Sequence, residues 1–223
     1  MAEKKWAPVQ STFLLPPDTG QFYAAGEWNG ACMDCHVTQG RSRFVAGSKF
    51  DSQVSEFGLA CEACHGEGGE HIAANRNPLR RFALHLTGGA DATIANPARM
   101  PGPQSALVCG QCHSIWAFSG MADKIAWNRS GTKFQPGEAE LAQRWVVQPG
   151  GTDHPAQRAM LQETNPHFFG DRFWGDGMVR VTGRELNGTM ASPCYKGGPA
   201  SPVMRCIRPA ARRGRSRPGR RTS

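Results

Sequence analysis

Apolar residues in this 223-residue chain come in short runs broken by Gly and Pro, and few stretches keep a period long enough to name an element. Residues 54–65 and 104–113 each read as a short helix ending in a group of Cys and His. Glu138 to Val146 has a clearer helical spacing, and Pro155 to Glu163 shows another. Met178–Val181 alternates as a brief strand does. Residues 1–30, with Pro16-Pro17 and Gly20, read as an extended lead-in to the first Cys group.

Composition agrees with that broken pattern. The 27 Gly and 16 Pro favour short helices and long connections over deep layers. The expected fold is mainly α, loop-rich and small, packed around a large apolar cofactor in place of a side-chain core. The expected segments are a lead-in over 1–25, one module over 26–204, and an Arg/Gly/Pro-rich disordered tail over 205–223.

Charge changes the picture only at the tail. The formal net charge is +8. Residues 205–223 hold eight Arg and no acid, so the rest of the chain is close to neutral. A basic nucleic-acid surface is therefore not expected on the body. No apolar run has transmembrane length, and no secretory signal is visible after Met1-Ala2-Glu3-Lys4-Lys5-Trp6.

Six of the eight cysteines fall in three copies of one pattern: Cys32-Met33-Asp34-Cys35-His36, Cys61-Glu62-Ala63-Cys64-His65 and Cys109-Gly110-Gln111-Cys112-His113. Cys-x-x-Cys-His is the attachment pattern of c-type haem. Thiols three positions apart on a helical turn reach the two vinyl groups on one porphyrin edge, and the next residue places an imidazole on the iron. Three copies predict three haems c. A disulfide framework would not need His after each second Cys, and zinc ribbons pair their knuckles, so three leave one over. Cys61 to Gly68 looks like one zinc repeat of the DnaJ-type chaperones, but the other two copies lack its glycines.

His36, His65 and His113 fill three of six axial positions. The remaining histidines, His71, His85, His154 and His167, are the candidates for the other three. His71 follows the glycine-rich turn Gly66-Glu67-Gly68-Gly69, which aims it at a neighbouring haem. His85 sits in the apolar stretch Phe82–Thr87. His154 begins a helix, with Asp153 as cap and Pro155 in its first turn. His167 lies in a loop beside Phe168 and Phe169. Met33, inside its own motif, is badly placed to ligate, and the other methionines read as packing residues.

With these residues in hand, the chain resembles the cytochrome c-554 family of multihaem cytochromes. The likeness rests on the three motifs, on Gly58-Leu59-Ala60 before and Gly66 to His71 after the second, on Leu84-His85-Leu86-Thr87-Gly88, and on Asn96-Pro97-Ala98-Arg99. It covers roughly residues 26–195. It implies closely packed haems, mostly with two His ligands each, passing electrons between redox partner proteins outside the cytoplasm. Some such proteins carry further domains, and the expectation extends to domains missing at either end here.

The chain departs from the pattern where a fourth motif is expected. Cys194 and Cys206 remain without a Cys-x-x-Cys-His, and an Arg-rich stretch follows. The expectation drawn from this is a truncated or frame-shifted fourth haem region. The leading function is electron relay and not catalysis. Its rival is an oxidoreductase acting on a small nitrogen or sulfur compound at a five-coordinate haem, because four spare histidines leave the ligand count open.

Overall fold

A computed structural model describes residues 28–47 and 49–196. The lead-in over 1–25, Trp6, Cys206 and the tail over 205–223 lie outside the described residues. The chain is mainly helical and loop-rich, with little sheet, as the composition implies.

The helices are α1 (Met33–His36), α2 (Glu62–His65), α3 (Gly69–Ala74), α4 (Pro78–Thr87), α5 (Gly102–His113), α6 (Met121–Ser130), α7 (Pro155–Thr164), α8 (Phe168–Arg172), α9 (Glu185–Ala191) and α10 (Pro193–Lys196). A π-helical turn, Trp28–Cys32, leads into α1. The strands are β1 (Val37–Thr38), β2 (Phe44–Ala46), β3 (Lys49–Phe50), β4 (Glu56–Phe57), β5 (Trp116–Phe118) and β6 (Arg144–Val146). They form three separate antiparallel pairs, β1 with β4, β2 with β3 and β5 with β6.

Residues 104–113 fall inside α5, and Pro155 to Glu163 matches α7. Glu138 to Val146 is not a helix. Trp145 and Val146, aromatic and β-branched, extend along β5 with Trp116 opposite Val146 and Ala117 opposite Trp145. Gly137 before them turns the chain at φ +107, and Ala142 sits at φ 55, neither of which a helix accommodates. Residues 54–65 are helical only over α2. Their first half pairs as β4 with Val37 and Thr38, so tertiary pairing overrides the local pattern. Met178–Val181 contributes a single bridge, Val179 to Phe173.

A helix that the apolar pattern missed, α4, carries complete end signals. Asn77 caps it by accepting from the Leu79 N–H, Pro78 takes the first turn, and Gly88 stops it in the left-handed region at φ 62.

Side-chain packing is concentrated after residue 100. Ala106, Leu107 and Val108 of α5 pack with Phe134, Leu141 and Leu186. A second cluster joins Ile115, Trp145, Val147, Phe168 and Phe173. Burying each large apolar side chain stabilises the fold by about 1.5–3 kcal/mol. The described residues therefore include two side-chain clusters. Of the described residues between Arg43 and Met100, only Gly68 and Pro97 are buried.

Candidate haem-attachment site

The three motifs adopt one local form. In each, the second Cys and the His lie on a helical turn, and the His is the last residue of its helix: His36 of α1, His65 of α2, His113 of α5. Ending there frees the imidazole from the next turn. After His65 the escape is made by Gly66 at φ 73, a conformation that strains any residue with a Cβ. The six motif cysteines are free thiols, ranging from partly buried to exposed.

The motifs are also tied to one another. Gln111 Nε2 of the third donates to the Ala63 carbonyl of the second at 2.7 Å. The Cys35 thiol of the first points to the Cys112 carbonyl of the third at 3.8 Å. Hydrogen bonding with Cys112 draws the Cys35 thiol down to about 7, against the effect of burial and with help from Arg184. The same interaction, reinforced by burial, pushes Cys112 well above the usual thiol range. Arg184 donates to the Cys112 carbonyl as well.

Three histidines share an arrangement suited to metal ligation. His65 Nδ1 lies 2.7 Å from the Ala95 carbonyl, His113 Nδ1 lies 2.8 Å from Glu185 Oε2, and His71 Nδ1 lies 3.1 Å from Asp91 Oδ2. For His65 and His113 the acceptor at Nδ1 fixes the tautomer and ring orientation and leaves Nε2 for a metal, whereas His71 Nδ1 also meets the Asn75 amide Nδ2 at 3.1 Å. Asp91 is itself held by Arg80 through both carboxylate oxygens, at 2.7 and 3.0 Å, and by Thr93 and Asn75. Arg80 first, then Thr93 and Asn75, keep its carboxyl far below the usual range. Burial alone would raise Glu185, but hydrogen bonds, led by that with His113, hold it below its ordinary value.

The other candidates sit in different settings. His36 is exposed, its ring 6.5 Å from that of Trp28. His85 is exposed on α4, not enclosed by its apolar neighbours. His154 stacks on Trp145 at 4.9 Å with φ 52. Asp153 does not cap α7: His154 is the capping position, and Asp153 instead pairs with Arg158 at 2.9 Å, whose guanidinium covers Trp145. His167 is exposed at the start of α8, not in a free loop. Met33 is 1% exposed and is a packing residue.

Several large apolar side chains between residues 59 and 86 stand in solvent. Leu59, Ile72, Leu79, Phe82 and Leu86 are all at least 60% exposed. Leu79, Phe82 and Leu86 follow helical spacing along one face of α4, which buries none of its residues. Apolar surface of this extent without side-chain cover calls for a partner. A zinc site fits less well, because no three His, Cys, Asp or Glu side chains gather as a metal-holding group among the described residues.

The groups behind these histidines, Asp91, the Ala95 carbonyl and Glu185, and the buried Arg144 were not among the residues singled out from the sequence. Asp91-Ala92-Thr93 carries a local signal, since an Asp two residues before Thr forms an Asx turn. Glu185 and Arg144 carry none, being distant in sequence from the motifs they meet.

A family model described as cytochrome c554 and c-prime matches residues 19–66, a span that includes the first and second motifs. The match covers less than a quarter of the chain and supports a likeness to cytochrome c proteins over that segment. No curated protein and no solved structure matches the chain.

Proposed function

We propose that the chain is a multihaem c-type cytochrome of the cytochrome c-554 kind, carrying three covalent haems and relaying electrons between redox partner proteins. The observation that carries this reading is the threefold repetition of one local form. Each Cys-x-x-Cys-His closes a helix on its His, and His65 and His113 each have an acceptor at Nδ1 that leaves Nε2 for iron. The thiols Cys32, Cys35, Cys61, Cys64, Cys109 and Cys112 form the thioether links. His36, His65 and His113 are the first axial ligands, and the second come from His71, His85, His154 and His167.

Haem c supplies the redox iron when bound. The chain's own part is to fix ligands, set their basicity and limit access of water. His71 is the best supported second ligand, because the Asp91 carboxylate behind it orients its ring. Hydrogen bonds between the motifs favour haems held close enough to exchange electrons. Attachment of this type belongs to the extracytoplasmic side, and no helix among the described residues is long and apolar enough to cross a membrane.

The test is a pyridine haemochrome assay on the chain secreted from a host with haem-attachment machinery. Three covalent haems per chain are expected. Zinc binding without a Soret band, or fewer haems than motifs, would refute the assignment.

A further inference from the structure

Helix α4 presents its apolar side outward. Leu79, Phe82 and Leu86, three and four positions apart, share one face and are 75%, 65% and 72% exposed. The half-buried side carries Arg80 and Leu84, and Arg80 ties it to both carboxylate oxygens of Asp91. A surface helix in water ordinarily turns its apolar face to its own core and its charges outward. Here polar bonds hold the helix to the chain while the apolar face looks away, so water is a poor medium for that face.

Cations border the helix at both ends. Arg76 stands exposed just before the Asn77 cap. Arg81 donates to the Asn75 carbonyl, and at the other end Arg99 Nη2 donates to the Gly88 carbonyl at 2.6 Å. A carbonyl leaves the guanidinium charge in place, and none of the three meets a carboxylate among the described residues. No acidic residue occurs between Glu70 and Asp91, and Asp91 is engaged by Arg80. Leu and Phe along one face, with Arg at the ends, suit a helix lying in a lipid interface. The apolar side then enters the acyl boundary and the guanidinium groups reach the headgroups. Anionic headgroups complement the arginines.

We propose that α4 is a lipid-binding helix that seats the chain on an anionic bilayer surface, with Leu79, Phe82 and Leu86 in the acyl boundary and Arg76, Arg81 and Arg99 at the headgroups. This goes beyond the haem reading and does not rest on it. The shape of the face favours lipid over a protein partner. A specific protein interface buries about 800 Å2 on each side, well beyond what three side chains on one helix offer. A bilayer accepts a ridge one helix wide.

The experiment uses the secreted full chain, with haem counted, and vesicles of equal parts phosphatidylglycerol and phosphatidylcholine beside vesicles of phosphatidylcholine alone. Sedimentation reads binding, and amide hydrogen exchange reads α4. The wild type is expected to pellet with the anionic vesicles, to release as salt is raised, and to exchange more slowly over Pro78–Thr87. Leu79→Gln and Phe82→Gln place a good helix former at exposed positions, and each should weaken binding about tenfold. Arg76→Gln should weaken it about fivefold. Met160→Gln, at a half-exposed position on α7, should leave it unchanged. The eight Arg of residues 205–223 are common to every variant. Binding that no α4 substitution weakens, with exchange over α4 unmoved, would assign adhesion to those arginines and overturn the proposal. Equal binding to phosphatidylcholine alone, or an equal loss in Met160→Gln, would overturn it too. So would a chain that stays in solution; if haem is then counted, the face belongs to the chain's own porphyrin or to an acidic protein. The haem count judges the haem reading separately, because the vesicle results stand whatever that count is.

Discussion

His113 and Glu185, 72 positions apart, meet at 2.8 Å between Nδ1 and Oε2. The contact joins the end of α5, where the third motif closes, to the start of α9. With Nε2 on a metal, Nδ1 carries the proton and donates it to the carboxylate, which makes the imidazole a stronger electron donor. A stronger donor favours ferric iron. Glu185→Ala should therefore raise the midpoint potential of one haem, and Glu185→Gln, which keeps an acceptor, should raise it less. Spectroelectrochemical titration reads both, and unchanged potentials would show that the pair does not act on a haem.

His71 makes a sharper prediction. On the proposed haem reading, its replacement by Ala should leave one iron high-spin and able to bind carbon monoxide, any others staying low-spin. His154→Ala, which removes a ring stacked on Trp145, serves as comparison. Identical low-spin spectra before and after His71→Ala would remove it from the ligand set.

Asp91 gives a pH dependence whose sign is fixed by its partners. Its carboxyl is depressed in the folded chain by Arg80, Thr93 and Asn75, so the unfolded chain binds more protons near its own value of about 3.9. The stabilisation is present above that pH and is lost as pH falls through and below it. Urea midpoints measured from about pH 6 down to about pH 3 should decline, and Asp91→Asn should flatten the acid part of that decline.

Gly110 belongs to the third motif and also to the packing of α5 on α9. A Cβ there would collide with Leu186 Cδ2. Gly110→Ala should cost about 1–3 kcal/mol through overpacking. Combining it with Leu186→Ala should recover part of that loss, seen in a double-mutant cycle as a coupling of about 0.5–3 kcal/mol. Strict additivity would mean the helices separate freely.

Asn187, 1% exposed, holds the second core cluster together. Its Oδ1 accepts from the Ile115 N–H at 2.6 Å and its Nδ2 donates to the Val147 carbonyl at 2.8 Å. Asn187→Leu strands two buried backbone groups and should cost about 2–4 kcal/mol in chemical denaturation. A loss below about 0.5 kcal/mol would place this region outside the cooperative unit.

The sequence alone determined the chemistry that depends on neighbours along the chain. Cys-x-x-Cys-His needs one helical turn, so thiols and His in all three copies could be named from spacing, as could α5 and α7 from their apolar periods. The Asn77-Pro78 start and Gly88 stop of α4 are equally local signals. Only the tertiary structure decided what stands behind each histidine. Ala95, Asp91 and Glu185 reach His65, His71 and His113 through turns and helix packing that no periodicity encodes. The same holds for Arg144: its helical pattern gave way to pairing with β5, which carried a charged side chain inward between two tryptophans. Local backbone preferences are worth fractions of a kcal/mol per residue, whereas strand pairing and burial act on whole segments, so at such positions the fold overrules the pattern.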